Sequence, residues 1–386
     1  MRILFEPLAG AIGLGAITRC MALAEQAVMR GHTVAFHAQP YPLIENHPLG
    51  RRYDAPVPVK PSPGGDPQSS SFNEAIHIRG LADPGYLETA VRAELETIED
   101  FRPDVMVTEW QPTVPISAER GGIPFAATLA TTELATLIGE PAAPEYAHVN
   151  TNVAHACSTF GVEPADTLEE LLHTRSAVNI APTMPMWEPM LAGVPRTKYV
   201  GPVLYPPLEL CPTPEVPGHR KAVVYVGAGA VRMTDLVPIL GKAFPEPDWG
   251  VLVAAREDEL DGAPLPVCRG NVVVAHEPGF TAALRGADVV VARGSQNAVA
   301  ACLLAGVPIV GTPGTRDAEP LFNLRIMQAH GVARTVIGEP TAEAIAEATD
   351  ALLSDGAAAR ASQLGAMLRQ HGGALDAVRE LERVAG

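Results

Sequence analysis

Short apolar runs rich in valine and isoleucine recur along this chain, and each is followed by a stretch with helical spacing. In the first half the runs fall at residues 3–5, 33–37, 104–108, 124–129 and 177–180. In the second half they fall at 222–226, 250–254, 271–275, 288–292 and 308–311. Runs of this length without polar alternation mark strands buried on both faces, and intervening helices are what join parallel strands. Helices are expected near 17–30, 86–100 and 113–121, in pieces over 131–174, from 235 onward, and over 341–384. Gly31 stands where the first helix should stop. The pattern predicts an α/β protein made of two doubly wound, Rossmann-like domains.

Two interruptions organise that pattern. Residues 41–83 are rich in Pro, Gly and Ser and read as long loops, with 61–71 as the most mobile segment. Residues 201–219 are proline-rich and can continue neither a helix nor a central strand, so they read as a linker. The expected division is a first domain over 1–200, a linker over 201–220 and a second domain over 221–386, with the last helix free to pack back on the first domain. Ligands of doubly wound sheets bind outside the carboxyl ends of the strands, which gives two domains facing a cleft. The glycine-rich turns all fall at such ends: Gly13 and Gly15; Gly227 and Gly229 with Arg232 beyond; and Arg293-Gly294-Ser295-Gln296-Asn297. Glycines let backbone approach a ligand closely, and an arginine at a helix start makes a site for an anion such as a phosphate.

The formal net charge of -16 argues against nucleic acid or an anionic membrane as the main partner. Five widely spaced cysteines suit neither a zinc site nor a disulfide framework. No DxD pair stands in a strand-end loop, so no metal and no separate cofactor is implied. The start of the chain shows no leader pattern and no apolar run approaches a membrane span of ~18 residues, so a cytoplasmic protein is expected. A homodimer is one assembly open to it.

The second half carries a resemblance. In order come His276-Glu277-Pro278, Gly286-Ala287-Asp288, Arg293-Gly294-Ser295-Gln296-Asn297, Leu304-Ala305-Gly306-Val307-Pro308 and Glu319-Pro320-Leu321-Phe322-Asn323. The series resembles the donor-binding half of GT-B nucleotide-sugar glycosyltransferases, with "AD-VV", "HGG-x-GT", "EAL-x-x-GVP" and "DQ-x-x-N" in that order. The resemblance implies a nucleobase held near His276 and Glu277. It puts Arg293 in place of the histidine that contacts the diphosphate, with Gly294, Ser295, Gln296 and Asn297 at the helix start. It puts Glu319 where an acidic residue binds sugar hydroxyls, and it keeps Asn323. Pro320 departs from the family's glutamine.

In the first half, residues 13–36 resemble the "GLGH-x-x-RC-x-ALA" form of the same superfamily, through Thr18-Arg19-Cys20 and Ala22-Leu23-Ala24. Gly13, Gly15 and Arg19 are candidate donor-binding residues; Arg19, in the first turn of the helix, either reaches the diphosphate or forms a surface salt bridge. Ala16 stands where that form has its histidine, the general base of many relatives. Alanine accepts no proton, so another residue serves, or the acceptor needs no base, or transfer activity is lost. Glu109, in the run DVMVTEWQP, is the candidate replacement, with Glu6 second. A thiol acceptor ionises more readily than an alcohol and would tolerate the missing base. Trp110 is a candidate aromatic wall for the acceptor, and His148 and His155 are candidate pocket residues.

The resemblance implies a metal-independent transferase. It would move a sugar from a nucleotide-diphosphate sugar to a small-molecule acceptor, in natural-product or antibiotic biosynthesis. A nucleotide-sugar hydrolase or epimerase on the same fold, and a non-catalytic auxiliary protein, remain the alternatives.

Overall fold

The computed structural model describes residues 1–8, 15–45, 48–61, 68–134, 144–205, 214–226, 233–255, 265–276 and 280–386. The chain divides into two units. One comprises Met1–Gly65, Ser69–Tyr205 and His371–Gly386; the other comprises Asp66–Gln68 and Pro206–Gln370. Residues 206–213 of the linker expected over 201–220 lie outside the described residues, as does most of the segment expected to be most mobile.

In the first unit the strands β1 (Arg2–Glu6), β2 (Thr33–Ala38), β3 (Gly50–Asp54), β4 (Val105–Thr108), β5 (Phe125–Thr128), β6 (Val178–Ala181) and β7 (Thr197–Tyr199) form one sheet. Its order is β3-β2-β1-β4-β5-β6-β7, and every described pair is parallel. The helices are α1 (Gly15–Met29), α2 (Pro42–Glu45), α3 (Phe72–Ile78), α4 (Pro84–Phe101), α5 (Val114–Gly121) and α6 (Ala147–Thr159). Alternation along β1 explains the layering. Ile3 and Phe5 join a cluster with Cys20, Leu23 and Ala27 of α1, and Leu4 joins one with Ile98, Phe101 and Val114 on the other face. Burial of such side chains contributes about 1.5–3 kcal/mol each.

In the second unit the strands are β8 (Arg220–Tyr225), β9 (Trp249–Ala255), β10 (Val267–Arg269), β11 (Val272–His276), β12 (Val289–Ala292), β13 (Ile309–Gly311) and β14 (Ala333–Thr335). The order is β10-β11-β9-β8-β12-β13-β14, parallel except that β10 runs antiparallel to β11. The helices are α7 (Met233–Ala243), α8 (Phe280–Ala283), α9 (Gln296–Ala305), α10 (Ala318–Ala329), α11 (Ala342–Ser354) and α12 (Ala357–Leu368). Helices α9 and α12 meet where a Cβ on Gly365 would stand 2.0 Å from the Leu303 carbonyl oxygen, so only glycine allows that approach. The last helix, α13 (Ala374–Ala385), buries Ala377, Val378 and Leu381 in the core of the first unit. It is tied to α1 and its exit by Glu382, which accepts from Arg30 at 2.8 Å and meets His32 Nε2 at 2.7 Å.

Part of the stretch 41–83 is not loop. Gly50–Asp54 (GRRYD) is an edge strand with exposed or half-buried residues, and Phe72–Ile78 is a helix capped by Ser71. An edge strand needs no apolar run, and charged residues there also discourage pairing with another chain.

Candidate functional site

Strand order reverses direction at β1 and β4 in the first sheet, and at β8 and β12 in the second. Such switch points leave a crevice at the strands' carboxyl ends, because the flanking connections leave on opposite faces. The candidate residues gather at these two places.

In the second unit Arg293 follows β12. Its Nε donates to Asp317 Oδ2 at 2.8 Å, and a second guanidinium nitrogen donates to Oδ1. Asp317 is buried and also accepts the Gly314 N–H at 2.9 Å. Gly294 has φ +105, and a Cβ there would stand 2.6 Å from Leu324, so both conformation and packing require glycine. Ser295 is the N-cap residue of α9 without a side-chain bond to it. That contact comes from another element: Glu319 Oε1 accepts the Gln296 N–H at 2.8 Å. A carboxylate at a helix start interacts favourably with the positive end of the helix dipole. Asn323 donates to the Gly294 carbonyl at 3.1 Å and to Glu319 at 3.3 Å. Arg293, Gly294, Gln296, Glu319 and Asn323 are thus brought together. Asp317 is the member that sequence reasoning missed. Asn297 lies in the first turn of α9. Gly227, Gly229, Arg232 and Glu277 lie outside the described residues, and His276 is placed by its backbone at the end of β11.

In the first unit Glu109 follows β4, and its N–H donates to the Glu6 carbonyl at 3.1 Å. Its two carboxylate oxygens take Arg19 Nε and Nη2, each at 2.8 Å. The Glu109 side chain is 1% exposed and that of Arg19 is 14% exposed. The expectation of Glu109 as an open base is altered by this geometry. Its carboxylate is occupied as the counter-ion of Arg19, and Arg19 in turn is held by Glu109. Gly15 begins α1, where its carbonyl accepts from Thr18 at 3.1 Å; Gly13 lies outside the described residues.

Ala16 and Trp110 both pack against the apolar cluster that includes Phe72, Ile76 and Tyr86. Trp110 has φ +63, a conformation that costs a non-glycine residue of order 1–3 kcal/mol and clusters at ligand sites. Phe72 meets its ring edge-on at 5.3 Å, and the Arg79 guanidinium lies 5.6 Å from its centroid. His148 is exposed at the start of α6; its Nδ1 lies 3.0 Å from the Glu145 carbonyl and its Nε2 3.0 Å from His77 Nδ1. His155 is exposed on the same helix.

A buried trio lies at the same end of the first sheet. His37 Nδ1 is 2.8 Å from Glu6 Oε2, and Glu94 of α4 offers a third group within 4.8 Å. Glu94 accepts from the hydroxyls of Thr113 and, at 2.6 Å, Ser117. Burial first, then the charge of Glu6, pushes Glu94 up to about 8 against the opposing His37 charge and hydroxyl donors. Burial opposes the charged form of His37, but the ion pair and hydrogen bond with Glu6, with Glu94 nearby, outweigh it and push it up to about 9. Both groups hold protons more tightly folded than unfolded. Their contribution to stability is therefore full at acidic pH and is lost as pH rises through 8 and 9. Melting temperature is expected to fall across that rise, and Glu94→Gln should flatten the Glu94 part; a Tm that climbs steadily from pH 6 to 9 would contradict the trio's proton count.

The chain matches solved structures along its whole length. The glycosyltransferase of kitacinnamycin aligns with a TM-score of 0.76 at 20% identity, covering 99% of this chain and 98% of that one. CalG4, the calicheamicin glycosyltransferase, aligns at 0.73 and 20%, with the same coverage. The chain adopts the GT-B fold. Glycosyltransferase VinC, solved in complex with DTDP, aligns at 0.72 and 18%, covering 100% of this chain and 99% of that one. No protein-family profile and no curated protein matches the sequence. The GT-B likeness expected from the motifs is thus found in the fold, at identities too low to carry residue roles. No described helix is long and apolar enough to cross a membrane.

Proposed function

We propose that this protein is a glycosyltransferase. It takes a sugar from a thymidine-diphosphate sugar, without metal, and passes it to a small acceptor of natural-product type. The observation that carries this reading is the cluster at the second switch point. There Arg293, oriented by buried Asp317, stands beside the start of α9 with Glu319 and Asn323. Two structural neighbours, VinC and SpnG, are complexes with thymidine diphosphate, which favours that nucleotide over others.

In this reading the acceptor nucleophile attacks the anomeric carbon while charge builds on the leaving diphosphate. Arg293 and the positive end of α9 stabilise that charge, and both are in place before the reaction. Glu319 and Asn323 exchange their mutual contact for sugar hydroxyls. Ala16 takes no proton, so the acceptor is either acidic, as a thiol is, or served by another base.

A thermal-shift comparison of dTDP, UDP and GDP tests the donor half. A nucleotide at 100 times its dissociation constant adds about 2.7 kcal/mol of stability. The expected result is a shift for dTDP that exceeds the other two; equal shifts would remove the preference for thymidine, and absent shifts for all three would remove the nucleotide-sugar reading.

A further inference from the structure

One oxygen of a buried carboxylate at the first switch point has no hydrogen-bond partner among the described residues. Glu6 is 1% exposed and closes β1. Its Oε2 is engaged by His37, while its Oε1 has no hydrogen-bond partner among the described residues. Buried acceptors are nearly always paired, and the exceptions concentrate where a catalytic role or an unseen partner explains them.

The surroundings decide between these. Glu6 pairs with Thr108 across β1 and β4, so it stands beside the segment that carries Glu109 and Trp110. That is the end of the sheet where ligands bind. Three acids meet there. Glu109 gives both oxygens to Arg19, and Glu94 gives both to Thr113 and Ser117. Of these three, Glu6 alone has an oxygen without a hydrogen-bond partner among the described residues.

We propose that Glu6, oriented by His37, is the catalytic base of the transfer, supplying the proton acceptor that Ala16 lacks. The assignment rests on the glycosyltransferase reading above. The acceptor's X–H bond breaks and its proton passes to Glu6 Oε1. The electron pair of X forms the bond to the anomeric carbon. The anomeric C–O bond breaks, its electrons leave with the nucleoside diphosphate, and the proton is later released to water. A base of this kind does not restrict the acceptor to thiols.

The electrostatics fit a base. Burial holds Glu6 above the usual carboxylate range, against the charge and hydrogen bond of His37. The other charged or titratable groups around it are Glu94 and Tyr86 of α4, Arg19 and Cys20 of α1, and Glu109 after β4. Removing the imidazolium of His37 makes Glu6 harder to ionise, so the acidic limb of a pH profile moves to higher pH.

The experiment uses the full chain with dTDP-glucose and a panel of phenol, alkylamine and thiophenol acceptors. Glu6→Gln is expected to lower kcat by about 10²–10⁴-fold and to remove the acidic limb of kcat/KM, while the dTDP thermal shift stays. His37→Gln keeps a donor towards Glu6 without the charge, and is expected to move that limb to higher pH. A structural role for either residue would not move it. Glu6→Gln within tenfold of wild type, or an unmoved limb in His37→Gln, overturns the assignment and leaves the glycosyltransferase reading standing. A wild type that transfers glucose to no acceptor, and shows no nucleotide shift, removes the glycosyltransferase reading and this assignment together.

Discussion

Arg19→Ala is expected to destabilise the protein by about 3–5 kcal/mol, the cost of leaving a buried charge without its partner. The Glu109 side chain is buried, and Arg19 supplies both of its short contacts. Against a total stability of about 5–15 kcal/mol that loss is large. The reverse change is milder: Glu109→Gln leaves Arg19 with 14% of its side chain still open to water. The double variant Arg19→Met, Glu109→Leu should recover most of the loss, because two apolar groups need no partner. Urea unfolding of the wild type, Arg19→Met, Glu109→Leu and their double variant as a double-mutant cycle measures the coupling. A coupling below about 1 kcal/mol, the range of surface ion pairs, would mean the pair is wetter than its geometry implies. The same variants bear on chemistry. Glu109→Gln should keep kcat within tenfold where Glu6→Gln does not, since Glu109 serves Arg19 rather than the acceptor.

What could be read ahead of the structure followed from burial. Strands covered on both faces, such as Val289–Ala292 and Trp249–Ala255, need apolar side chains everywhere and announce themselves as runs. Edge strands do not: Gly50–Asp54 and Val267–Arg269 present half-exposed or exposed residues and carry no such signal. The site divides the same way. Arg293, Gly294, Glu319 and Asn323 lie in one βαβα series with familiar spacing, so their convergence was legible. Asp317 was not, because an aspartate ahead of a helix reads as a cap. In the structure its side chain makes no cap bond to α10 and turns to Arg293, 24 residues earlier. The trio of Glu6, His37 and Glu94 was hidden further, since each member sits on a different element and only strand order unites them. Ala16 could be named as a missing histidine, yet the residue best placed to compensate for it depends on which oxygens the fold leaves unpaired.

Arg293→Lys is expected to cost the nucleotide shift as well as stability, which makes it the sharper probe of the donor site. Lysine keeps the charge but offers a compact ammonium in place of a planar fork, so it cannot reproduce the two parallel bonds to Asp317. Asp317 is 2% exposed, and beyond Arg293 its carboxylate has the Gly314 N–H as its described hydrogen bond. Arg293→Ala removes the cation altogether, and the stranded carboxylate should cost about 3–5 kcal/mol. Asp317→Asn relieves that cost: the amide oxygen can still accept from Gly314 while the buried negative charge is gone. The double variant Arg293→Ala, Asp317→Asn should therefore regain most of the stability and none of the dTDP-induced shift. That split separates the arginine's structural duty from its duty to the diphosphate. If the double variant binds dTDP as the wild type does, Arg293 serves Asp317 alone and the phosphate contact must come from elsewhere in the second unit.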